Sequence, residues 1–212
     1  KRFIAFQGAF HGRTLGSLSL CASKAVHRRG YAPLLAGTHW GTYDCPRIEI
    51  EKLFATVAPP EEVAAIFVEP VQGEGGYRVP SPEFLPMLRE LCDEHGILLA
   101  ADEVQTGIGR TGRMFALEHF GVEPDLLCVA KGLASGMPIG ATIARERLMN
   151  WPPGSHASTF GGNPVCAAAA LATLSLVERE YLDNARQRGE QLKAGLDQLA
   201  EAYHQLSDVR GL

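Results

Sequence analysis

Short apolar runs, each halted by polar or turn residues, set the plan of this chain. They are Arg2-Phe3-Ile4-Ala5-Phe6, Ala64-Ala65-Ile66-Phe67-Val68, Ile97-Leu98-Leu99-Ala100-Ala101, Leu126-Leu127-Cys128-Val129-Ala130 and Ile139 to Ala144. Runs of this length without alternation predict strands buried on both faces, the kind found in parallel sheets. Between them the period changes. Ser17 to Arg29 is a weakly helical stretch, and Glu49 to Val57 predicts a short helix closed by Pro59-Pro60. Phe84, Leu85, Leu88, Leu91 and Cys92 recur at helical spacing. Ser81 as cap and Pro82 at the first position start that helix, Pro86 makes its first turn irregular, and Gly96 stops it. Val165 to Val177 predicts an alanine-rich helix. Leu182, Ala185, Leu192, Leu196, Leu199, Tyr203 and Leu206 mark an amphipathic one, broken near Gly189. Gly30 to Pro46 reads as loop. A helix feeding the strand at Ile97 makes a right-handed β-α-β unit, so the fold class is α/β with a mostly parallel sheet flanked by helices.

In such sheets ligands sit at the carboxyl ends of the strands. The run ending at Ala101 is followed by Asp102, and the run ending at Ala130 by Lys131. A strand-end acid followed by a strand-end lysine suits pyridoxal phosphate (PLP). The amine attaches the cofactor, and the carboxylate keeps the pyridine nitrogen protonated so that the ring can draw electrons. A third strand end, Gln7 to Thr14, offers Phe10 or His11 as a flat partner for a planar ring, with glycines allowing close approach. Glu69 and Glu74 lie in a glycine-rich loop and face a cationic partner or a substrate. The polar loop from Ser155 to Pro164 opens the alanine-rich helix, where hydroxyls and free N–H groups can take an anion.

Several other chemistries are excluded. Gly107-Ile108-Gly109-Arg110-Thr111-Gly112 is a literal GxGxxG. It does not follow its strand at once, bulky Arg113-Met114-Phe115 comes next, and no strand ends in an acid at the offset a ribose needs. A net charge of -4 gives no basic surface for nucleic acid. No apolar run reaches a membrane span. His39-Trp40 has no partner at metal-ligand spacing, so no metal is expected. The five cysteines are scattered and odd in number, which reads as core thiols in a reducing cytoplasm. Both ends look cut, as in a fragment of a longer protein. Strands cease near Tyr181, which divides the chain into residues 1–180 and a piece of a second domain at 181–212.

Taken together, Gly8 to Thr14, Glu69 to Gly76, Asp102-Glu103-Val104-Gln105-Thr106-Gly107, Ala130-Lys131-Gly132 and Ser158 to Pro164 resemble the class III aminotransferases, a branch of the fold type I PLP enzymes. The resemblance covers nearly the whole chain. It implies a three-layer α/β/α large domain over 1–180, incomplete at its start, and a truncated small domain after it. It implies Lys131 as the lysine that carries PLP, Asp102 at the pyridine nitrogen, Phe10 or His11 on one ring face, Val104 on the other and Gln105 at the ring hydroxyl. It implies that Thr159 binds the phosphate of a neighbouring subunit, hence a homodimer or higher assembly. Glu69 would lie near the substrate, and Glu74 would pair with a switch arginine beyond Leu212. The family's glycine/serine phosphate loop lies before Lys1. The activity implied is transamination of an ω-amino acid of the 4-aminobutyrate, ornithine or acetylornithine type, with 2-oxoglutarate as acceptor. A racemase of the same family and a non-catalytic folded fragment are the alternatives.

Overall fold

The computed structural model describes residues 1–212. They form two compact units, Lys1–Asp102 with Phe120–Leu127, and Glu103–His119 with Cys128–Leu212.

The first unit carries β1 (Arg2–Phe6), α1 (Leu15–Leu20), α2 (Ala25–Arg28), β2 (Thr38–Gly41), α3 (Arg47–Thr56), β3 (Val63–Val68), α4 (Phe84–His95) and β4 (Leu98–Asp102). β5 (Leu126–Val129) begins in it. The second unit holds β6 (Ala141–Ala144), α5 (Pro164–Leu176) and α6 (Leu182–Ala202). Strand order is β2-β1-β3-β4-β5-β6. β1 pairs in parallel with β2 and β3, and β3 with β4, Ile66 lying beside Ile4 on one side and Leu99 on the other. Those three side chains are fully buried. Continuous apolar runs fold this way because both faces of each strand must be covered.

Four expectations are corrected. The stretch 30–46, expected to be loop, contains β2. Its sequence, Thr-His-Trp-Gly, has no apolar run, because an edge strand needs only one neighbour and stays half-buried. Trp40 Nε1 donates to the Leu20 carbonyl at 3.0 Å, and His39 Nε2 faces the Arg2 guanidinium at 3.2 Å. Ser81 does not cap α4. Its N–H and hydroxyl both donate to Asp44 Oδ1, at 3.0 and 2.6 Å, and Glu83 occupies the cap position. Pro86 is then the third helical residue, where a missing N–H costs no helical hydrogen bond. The stretch 17–29 is two separate short helices. α6 runs unbroken through Gly189, since a single helical glycine costs only about 1 kcal/mol. The stop at Gly96 holds: its φ is 65°, the left-handed cap that favours glycine.

The literal GxGxxG has a packing role. α5 passes into α6 through a π-helical turn, Val177–Tyr181. A Cβ on Gly109 would come within 2.8 Å of Val177 Cγ1 and 3.2 Å of Leu182 Cδ2. One on Gly112 would meet Arg186 Cβ at 2.8 Å and its Cα at 3.1 Å. The glycines let this loop lie directly on the helix, and both have φ near +80°. Gly112→Ala is expected to destabilise the protein by about 2–4 kcal/mol, from left-handed strain plus overpacking against a backbone that cannot yield. Urea unfolding followed by circular dichroism measures it; an unchanged midpoint would remove the packing role.

Candidate active site

In the first unit, β4 ends on Asp102. His11 Nδ1 lies 2.8 Å from Asp102 Oδ2, and the two side chains are 4% and 13% exposed. An ionised carboxylate only accepts, so Nδ1 carries the hydrogen. His11 Nε2 is buried with no partner. The segment holding His11 leaves β1 and is fixed by its own backbone. Gly8 N–H donates to the Ala22 carbonyl, Ala22 N–H returns a bond to Ala9, and His11 N–H donates to Cys21 Sγ at 3.1 Å. Phe10 packs edge-on to His27, with the Arg13 guanidinium 5.3 Å from its ring centroid. Of the two residues expected to face a planar ring, His11 is thus committed in its plane to Asp102 and tilted against Phe67.

β3 leads into Glu69, which is 5% exposed. Its Oε2 accepts from Phe10 N–H at 3.1 Å and its Oε1 from Gly73 N–H at 3.2 Å. Burial pushes its carboxyl up to about 6. The His11 ring and the two N–H donors oppose that rise, and Asp102 adds to it. Glu69, expected beside the substrate, is therefore buried with both oxygens held by backbone. Glu74 is half-exposed and paired with Lys24 Nζ at 2.8 Å. It does face a cation, one the sequence did not nominate. Gln72 was also missed. It is buried, its amide donates to the Gln7 carbonyl at 2.8 Å, and its backbone pairs with Arg78.

In the second unit, Lys131 opens a short 3-10 turn (Lys131–Ala134) just past β5. Its φ is 40°, an uncommon backbone state for a side chain and one that clusters at functional sites. Lys131 Nζ donates to Gln105 Oε1. Gln105 was expected at the ring hydroxyl; here it orients the amine. Val104 beside it is half-buried. Glu103, to which no role was assigned from sequence, is the anchor of this loop. It is 1% exposed and accepts from the Thr106 hydroxyl, Ala116 N–H at 3.1 Å and Leu117 N–H at 2.9 Å. Burial raises its carboxyl above the usual range. Asp-Glu at a strand end could have signalled this, because one acid of such a doublet points inward when the other points out. Thr159 is exposed, in a loop where Ser158 Oγ accepts from Gly161 N–H at 3.1 Å and Asn163 caps α5 through Cys166 N–H at 3.0 Å.

The donor set fits PLP. A carboxylate steadied by an imidazole and a primary amine steadied by an amide are both present. Acid and amine are the groups a pyridine nitrogen and an aldehyde require.

Comparison with known proteins agrees. The family model "Aminotransferase class-III" matches residues 1–212. A putrescine aminotransferase of Pectobacterium atrosepticum is 50% identical over 99% of this chain and 46% of its own length. An acetylornithine aminotransferase of Methanopyrus kandleri is 48% identical over 99% of this chain and 52% of its own. The chain spans about half the length of these curated relatives. Among solved structures, an aminotransferase of Bacillus anthracis superposes with a TM-score of 0.91 at 28% identity, covering 99% of this chain and 52% of that one. A PLP-bound amine transaminase from an uncultivated Pseudomonas species gives 0.87 at 37% identity, covering 96% and 51%.

The raised carboxyl of Glu69 has a signed consequence. Folding favours its protonated form, so the stability it contributes is fully present below the ordinary value of 4.5 and is lost as pH rises through about 6. Glu69→Gln removes that dependence. Between pH 4.5 and 7.5 its stability should move in its favour, relative to the parent, by on the order of 1–2 kcal/mol. Denaturation midpoints at the two pH values measure this; a constant difference would mean that Glu69 is not a buried acid.

Proposed function

We propose a reaction for this chain, which belongs to the class-III aminotransferase family: the whole protein moves an amino group from an ω-amino donor to a keto acid, using PLP. The observation that carries the reading is the pair of steadied groups, Asp102 held by His11 and Lys131 held by Gln105, each lying within the family's motifs. Residues 1–180 form the cofactor-binding large domain in this reading, and 181–212 lead into a smaller one. Relatives named for putrescine, acetylornithine and ornithine all point to donors with an amine at a chain end. The proposed donors are of the 4-aminobutyrate, ornithine or acetylornithine type, with putrescine added, and 2-oxoglutarate is the proposed acceptor. These relatives are aminotransferases, which favours transfer over racemisation. No helix is long and apolar enough to cross a membrane. Five unbridged cysteines suit a reducing cytoplasm.

When bound, PLP draws electrons from the carbon bearing the amino group and makes its hydrogen acidic. The chain's residues do the rest. Lys131 Nζ would take that proton and later deliver it, a general base and then a general acid. Gln105 Oε1 accepts one Nζ hydrogen and so aims the lone pair. Asp102 would present a carboxylate oxygen to the pyridine nitrogen, while His11 bonds Oδ2 and fixes the carboxyl plane. Phe10 and Val104 would bound the ring faces and exclude water. Thr159 would hold the phosphate of the second subunit's cofactor in a homodimer. α5 supports that partnership: it is almost wholly apolar, yet only Cys166, Ala170 and Thr173 of its 13 residues are buried. Val165, Leu171 and Phe160 stand 65%, 70% and 82% exposed, a surface that association would cover.

The full-length protein should show visible cofactor absorbance that Lys131→Ala abolishes; an unchanged spectrum would overturn the lysine assignment. Asp102→Asn should still bind PLP but lose at least about a hundredfold in kcat, about 2.7 kcal/mol of barrier. A parental rate would leave Asp102 a mere strand end. Mixing Lys131→Ala with Thr159→Ala chains should restore activity toward half of the parent's per mixed dimer, since one site then carries both lesions and the other neither. Absence of any gain would place both residues in one chain's site.

A further inference from the structure

The loops that follow β1 and β3 leave adjacent parallel strands, aligned at Ile4 and Ile66. One side chain joins them. Glu69 Oε2 takes the N–H of Phe10, in the first loop, and Glu69 Oε1 takes the N–H of Gly73, in the second. What lies beyond each N–H matters. Phe10 precedes His11, whose ring holds Asp102. Gly73 begins a tight turn, its carbonyl accepting from Gly76 and Tyr77 N–H at 3.0 and 3.2 Å. That turn presents Glu74. The second loop is closed at its base by the pairing of Gln72 with Arg78, and Gln72 adds a tie to the Gln7 carbonyl. The two loops are therefore tied together, with Glu69 at the junction.

A space-filling role does not need a charge at this position. Hydrogen bonds to a carboxylate are stronger and shorter-ranged in their geometry than those to a neutral amide. A carboxylate also accepts on both oxygens, where glutamine accepts on one and offers a donor on the other. Two N–H groups converging on one side chain thus suit a carboxylate better than an amide, although burial on balance favours the protonated form.

We propose that Glu69 is a positioning residue that joins the substrate-side turn to the cofactor-side segment, so that Glu74 and the Phe10-His11 pair keep one spacing and donor selectivity depends on it. This rests on the reading of the protein as a PLP aminotransferase. The test uses the full-length protein with Glu69→Gln and Glu69→Ala, and Glu61→Gln as an exposed control. Hydrogen exchange at the Phe10 and Gly73 amides should accelerate at least tenfold at one of the two in the Gln variant and at both in the Ala variant, and stay unchanged in the control. Cofactor absorbance should persist in the Gln variant, while its ratio of kcat/KM between putrescine and ornithine shifts by tenfold or more. Exchange equal to the parent's at both amides in the Gln variant would overturn the proposal. So would faster exchange with a donor ratio within twofold of the parent's. Should the Ala variant fail to fold, the Gln variant decides alone. If the parent itself binds no PLP, the aminotransferase reading fails, and the clamp is judged by the exchange data.

Discussion

A carboxylate taken out of water must be met by hydrogen-bond donors, and much of this structure follows from that requirement. Leaving one unpaired would cost several kcal/mol, comparable to a large part of a domain's net stability. Three buried acids meet it with backbone N–H groups. Glu69 takes those of Phe10 and Gly73, Glu103 those of Ala116 and Leu117, and Asp125 that of Leu99, with Arg89 alongside. Each acid lies beside a strand end and closes a loop. The loops so closed carry Phe10, His11, Glu74 and Gln105. Parallel strands leave their connections without ladder partners, and inward-turned acids supply the missing acceptors.

The elements legible in the sequence were those with one dominant signal. The runs at 2–6, 64–68, 97–101 and 126–130 are strands because nothing but burial on two faces explains them. Asp102 and Lys131 were legible because they are the polar residues at which such runs stop. β2 was not legible: an edge strand satisfied on one side needs no apolar run, and Trp40 is placed by a hydrogen bond to Leu20 that no local pattern announces. Glu103 was hidden by its neighbour, since an exposed and a buried acid look alike in sequence. The cap of α4 was misread because Asp44, 37 residues away, competes for Ser81. Long-range partners of polar side chains are what periodicity cannot see.

The same limit applies to function. Residue types at strand ends identified the chemistry class, an amine and an acid suited to PLP. They did not say how either group is held. His11 and Gln105 came forward as ring contacts, and the structure shows them bonded to Asp102 and Lys131. Relatives named for different donors are 50% and 48% identical to this chain over 99% of its length. Their names differ in the donor, so likeness over this stretch does not by itself name one.

The π-helical turn between α5 and α6 bears on how this gene can change. A π turn contains one residue more than the α-helix around it needs, so removing any codon between Val177 and Tyr181 would leave a smoother helix. The turn absorbs its extra residue, so the helix after it keeps the phase of an uninterrupted one. Gly109 lies against Val177 within the turn and Leu182 just past it, and Gly112 against Arg186. A deletion inside the turn would thus leave Leu182 and Arg186 facing the glycine loop, which makes the turn the place where this helix can change length without unseating the loop.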